Sequence, residues 1–125
     1  MQLDDASQSR LCHARQILDR VGDKWSISVI YELRSGSRRF TELRRAIDGI
    51  SQRMLTATVR ALERDGLVLR TVHPVVPPRV DYALTPLGRT LLGTVGQLMS
   101  WAVEHADDID DARATYDSRA ESRAG

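Results

Sequence analysis

Cysteine occurs once in these 125 residues, and aromatic residues make up only 5% of them, so Trp25 and Trp101 stand out as core or interface anchors. A single thiol excludes an intramolecular disulfide and any cysteine-rich zinc site. Histidine is scarce too. His13, His73 and His105 stand at unrelated spacings, so no metal site is expected. Long apolar runs are missing: the most apolar late stretch, Leu91 to Val103, is too short to span a bilayer and is interrupted by Gln97 and Ser100. Met1 to Asp5 lack the basic and apolar regions of a signal peptide. A cytoplasmic protein without membrane contact is the expectation. There is no Gly-rich phosphate loop, no nucleophile elbow and no clustered acid–base set, so neither catalysis nor a bound cofactor is expected.

What is present is an uneven distribution of charge. The formal net charge is only +1, but residues 34–79 hold ten Arg against four acids, whereas residues 100–125 hold seven acids against three Arg. The local field around the middle of the chain is one that attracts a polyanion, which the summed charge hides. The length allows one domain, and a core this small is often completed by a partner subunit.

Helical periodicity and breakers divide the chain. Residues 1–10 are expected to form a flexible N-terminal arm, 11–106 the folded domain, and 107–125 an acidic and mixed C-terminal tail. Ile17, Leu18 and Val21 mark a first helix ended by Gly22. Asp23 caps a second, Lys24 to Ser35, whose apolar residues cover more than one stripe and place it at the centre of the fold. A short extended piece leads to a third helix beginning at Thr41, then the turn Asp48-Gly49. Ser51 caps a fourth helix, on which Leu55, Val59 and Leu62 fall within about 60° of one another. Arg53, Ala57, Arg60 and Arg64 fall on the opposite side, with Thr56 beside them. Asp65-Gly66 ends that helix. Strands Leu69–His73 and Val80–Leu84 then flank a proline-rich tip, Pro74 to Arg79. Thr85-Pro86 starts a last helix with two apolar stripes, more than one small domain needs. One stripe is expected to pack on a second copy.

Two helices joined by a tight turn, the second basic and followed by a β-ribbon, make a winged helix-turn-helix. Such a helix fits the DNA major groove, its first turns reach base edges, and the ribbon runs along the backbone. Ser51, Gln52, Arg53 and Thr56 occupy those first turns; Arg60 and Arg64 are placed for phosphate. The blander reading makes the same arginines a solvated face, or a basic surface for an acidic protein partner.

Several segments resemble the HxlR-type transcriptional regulators. They are Cys12 with Gly22-Asp23-Lys24-Trp25, Arg39 to Arg44, Ile50 to Thr56, Leu62 to Val68, and Pro77 to Gly88, with Trp101 closing the last helix. The resemblance runs in order from Cys12 to His105. It implies a mostly α fold with a small β-hairpin (α+β), MarR-like and dimerising through terminal helices. It also implies a homodimer on a pseudo-palindromic operator in double-stranded DNA. Ser51, Gln52, Arg53 and Thr56 would then contact bases, Arg79 would be the wing residue, and Arg39 would join the DNA-contacting set. The family often has Gly where Asp23 stands, and Pro after the Cys where this chain has His13. Members of the family sense oxidants or electrophiles through an N-terminal Cys. Cys12 is thus a candidate redox sensor, since a thiolate near a helix N-terminus and a protonated imidazole is reactive. The alternatives are a packed structural thiol, or control by a small non-thiol ligand.

Overall fold

The computed structural model describes residues 4–124. Helix α1 (Asp5–Val21) starts on Asp4, whose Oδ1 accepts from the Ser7 backbone N–H at 2.7 Å. This cap, with Asp5 in the first turn, begins the helix before its apolar periodicity does. The arm expected over residues 1–10 is therefore helical from Asp5 onward, and Met1 to Leu3 lie outside the described residues. Of the three apolar residues that mark α1 in the sequence, only Val21 is buried; Ile17 and Leu18 remain exposed.

Asp23 caps α2 (Lys24–Glu32), its Oδ1 accepting from the Trp25 and Ser26 backbone N–H groups. Val29, Ile30 and, just past the helix, Leu33 have no exposed surface, so this segment is the centre of the core, as its all-round apolarity predicts. It ends earlier than Ser35 because Leu33 already leaves helical geometry, and Gly36, at φ 132°, turns the chain into β1 (Arg38–Arg39). Helix α3 (Phe40–Ala46) follows, then the turn through Gly49. Ser51 opens α4 (Gln52–Arg64) by accepting from the Met54 backbone N–H at 3.1 Å. Leu55, Val59 and Leu62 are all buried, each contributing about 1.5–3 kcal/mol by leaving water. That stripe fixes which face of α4 looks outward.

Strands β2 (Val68–His73) and β3 (Arg79–Leu84) pair antiparallel, and β1 adds to the other edge of β3, giving the order β1-β3-β2. Thr85 then ties the sheet to the next element. Its hydroxyl donates to the Gly66 carbonyl at 2.6 Å and accepts from the Gly88 backbone N–H at 3.0 Å. Helix α5 (Pro86–Ala124) follows as a single 39-residue helix. The tail expected over 107–125 continues this helix to Ala124, because its Ala, Arg, Glu and Asp residues include no breaker and several strong helix formers. At about 1.5 Å per residue α5 spans roughly 58 Å, and only its first turns pack on the subunit's own core. Val95 is buried there, with Leu91, Leu92 and Met99 against it. The whole is a mostly helical winged helix-turn-helix with a small three-stranded antiparallel sheet.

Candidate nucleic-acid interface

With Leu55, Val59 and Leu62 turned inward, α4 directs Gln52, Arg53, Thr56, Ala57 and Arg60 along one shallow open groove on its outer side. Gln52, Arg53, Arg60 and Arg64 make no side-chain hydrogen bond or ion pair among the described residues. Their donors are thus uncommitted. The two threonines of the helix differ in the same respect. Thr58 donates back to the Met54 carbonyl at 2.8 Å, whereas the Thr56 hydroxyl has no such partner. Ser51 is the cap its side chain leads one to expect: one Oγ lone pair accepts from the Met54 backbone N–H, which leaves its O–H and the second lone pair to meet a ligand. Arg64 lies beyond the groove, in the last turn.

Arg39 and Arg79 are brought together elsewhere. Both line a groove of about 450 Å³ between β1 and the proline tip, which carries a cis peptide at Val76-Pro77. Arg79 is not free. Its Nε donates to Asp81 Oδ1 at 3.0 Å and its Nη2 to Oδ2 at 3.1 Å. His73 Nε2 lies 2.9 Å from the same Oδ2. The hydrogen bond from Arg79 holds the Asp81 carboxyl below the usual carboxylate range; burial opposes this, and the His73 contact reinforces it. Reciprocally, Asp81 holds the Arg79 guanidinium still more firmly charged, with Glu42 adding a weaker attraction. Arg39 has only a loose partner, Glu42, at 3.9 Å.

Asp81 and His73 are absent from the sequence-derived set. The hairpin register is what brings them together. Arg79 and Asp81 are two apart on one strand and so share a face, and His73 pairs directly with Arg79 across it. Three scattered histidines, read along the chain, conceal that pairing.

Cys12 is exposed on the outside of α1. The helix-end field expected to activate it is confined to the first turn, and α1 begins seven residues earlier. His13, its neighbour, instead lines an apolar groove of about 600 Å³ between α1 and α5, with Ile17, Leu18, Leu67, Leu87 and Leu91. Farther along α5, Leu98 and Trp101 are exposed, and the Trp101 ring stacks on His105 with centroids 4.9 Å apart.

Residues 20–110 match the HxlR-like helix-turn-helix family. The chain is 43% identical over 90 residues to the helix-turn-helix-type transcriptional regulator YtfH of Escherichia coli (strain K12), covering 72% of this chain and 71% of that one. The solved structure of the transcriptional regulator YtfH from Salmonella typhimurium superposes with a TM-score of 0.77 at 38% identity, over 81% of this chain and 90% of that one. The redox regulator HypR in its reduced form superposes with a TM-score of 0.73 at 42% identity, over 78% and 97% of the two chains. No helix among the described residues is long and apolar enough to cross a membrane. The chain belongs to the HxlR-like helix-turn-helix family of transcriptional regulators.

Proposed function

We propose that this regulator works in the cytoplasm as a non-enzymatic homodimer on a pseudo-palindromic operator, each subunit placing α4 in the major groove of one half-site. The observation that carries the reading is the outer groove of α4, where Gln52, Arg53, Thr56 and Arg60 converge without protein partners. An arginine fork matches the O6 and N7 acceptors of guanine, and a glutamine amide matches the N6 and N7 edge of adenine. Ser51 contributes its remaining O–H in the same first turn, and Arg60, Arg64, Arg39 and Arg79 serve phosphates. The exposed apolar residues of α1 and α5 support a second copy as their cover, since a lone subunit leaves Leu18, Leu87, Leu98 and Trp101 in water.

For the signal, the exposure of Cys12 and the similarity to HypR, a redox regulator, favour a thiol switch. Because the chain has one Cys, oxidation would give an inter-subunit or mixed disulfide. One titration tests both levels: duplex-DNA affinity across a salt series, with and without a thiol oxidant. Phosphate neutralisation predicts a steep fall of log affinity with log salt. Oxidant should shift affinity in the parent and leave Cys12→Ser unmoved. Salt-insensitive or absent binding refutes the operator reading, and an equal oxidant response in both proteins refutes the switch.

A further inference from the structure

We propose that the notch between β1 and the wing holds one backbone phosphate of duplex DNA, gripped jointly by Arg39 and Arg79. In it, Asp81 is a positioning residue for Arg79, and Glu42 is a displaceable occupant of Arg39. The proposal rests on the duplex-binding reading above and deepens it, since there Arg39 and Arg79 each serve phosphates and here the two share one.

The notch is lined by Arg39, Thr41, Pro77, Pro78, Arg79 and Tyr82, among others. Its two prolines present no N–H, so the charged donors an entering anion meets are the two guanidiniums, with the Thr41 hydroxyl beside them. Strand register brings them to one face, since Arg39 pairs directly with Asp81, and Arg79 stands two residues before Asp81 on the same strand.

The two nearby acids are bound in opposite ways. Asp81 is only 8% exposed and accepts both bonds of the Arg79 fork, with His73 as a third neighbour. Two of the five guanidinium N–H groups are used, which fixes the plane of the group and leaves the other three for a ligand. Glu42 is different: its side chain is 49% exposed and lies 3.9 Å from Arg39 Nε, a surface pair of the kind worth little. A phosphate entering the notch displaces Glu42 from Arg39 and leaves Asp81 behind Arg79.

Simple charge counting says that removing either acid strengthens binding to a polyanion. The geometry says that the two act with opposite sign. The test is fluorescence anisotropy of the full-length protein on a random-sequence duplex across a salt series. Glu42→Gln should tighten binding several-fold, whereas Asp81→Asn should weaken it several-fold in the parent and not at all in an Arg79→Ala background. If both guanidiniums hold one phosphate, Arg39→Ala together with Arg79→Ala should flatten the log–log slope by about 0.9 in total, the loss of a single phosphate. Losses that add to about twice that value would overturn the shared site, and equal signs for Glu42→Gln and Asp81→Asn would overturn the roles of the acids. Thermal melting establishes that Asp81→Asn is folded. Should it be unfolded at the assay temperature, Arg79→Lys carries the same test, because an ammonium cannot form the fork: undiminished binding by that variant would overturn the positioning role. A parent protein that binds no duplex at all would overturn the operator reading along with the notch, whereas normal parent binding with additive losses overturns the notch alone.

Discussion

Arg53 and Arg79 carry the same side chain but differ in what already holds them. Arg53 is uncommitted in the second position of α4, and Arg79 is locked by two hydrogen bonds to Asp81. An uncommitted fork in the first turn of a groove-facing helix is suited to reading a base; a locked one at the foot of a wing is suited to a phosphate. Arg53→Ala should therefore cost about 1–3 kcal/mol on the specific operator and relax preference at one position per half-site. Equal loss on specific and random duplexes would contradict that assignment. Asp81 also gives the fold a pH dependence of definite sign. Its carboxyl is held low in the folded state, so the stability it confers is complete above the ordinary value of about 3.9 and is lost as pH falls through the lower folded value. Urea melts of the parent and Asp81→Asn should differ at pH 5 and converge as the solution is made more acid. A difference unchanged at the acid end would remove this contribution.

At the scale of elements, most of the chain is legible from breakers and caps. Asp23, Ser51 and Thr85 begin helices as their side chains predict, and Gly66, at φ 78°, ends α4. The inward stripe of α4 follows from periodicity alone, and with it the identity of the outward residues. Besides the end of α2, two helix extents are not legible, for one reason: residues 5–10 and 107–123 are helical without burying an apolar face in this subunit, so no periodic signal marks them. The Asp81 cluster is hidden differently, because it depends on cross-strand register, which the proline tip does not specify in advance. Gly88 makes a further junction visible only in three dimensions. A Cβ there would run into the Leu67 carbonyl oxygen and press on Leu84, where α5 starts against the base of the β2–β3 hairpin. Gly88→Ala should accordingly destabilise by about 1–3 kcal/mol despite the better helix propensity of alanine. An unchanged or raised melting temperature would show that the junction of α5 with the hairpin base is looser than described.

On the scale of the whole molecule, the winged helix-turn-helix is closed around α2, while α1, Val21 apart, and the distal part of α5 leave their large apolar residues in water. Such an arrangement is satisfied by a second copy, and Leu98 stands in the middle of the uncovered stripe. Leu98→Glu should convert a dimer to monomers in analytical ultracentrifugation and weaken operator binding, while leaving the subunit's own melting cooperative. A variant that remains fully dimeric would place the interface elsewhere. In the proposed dimer the interface would fix the separation of the two α4 helices, and hence the spacing of the DNA that both can occupy. The most direct measurement is selection of bound duplexes from a random pool by the purified full-length chain. The account predicts enrichment of an inverted repeat whose half-site centres lie about one helical turn, roughly 34 Å, or a multiple of it apart. Recovery of an unenriched pool, or of a single unrepeated element bound by a monomer, would contradict it.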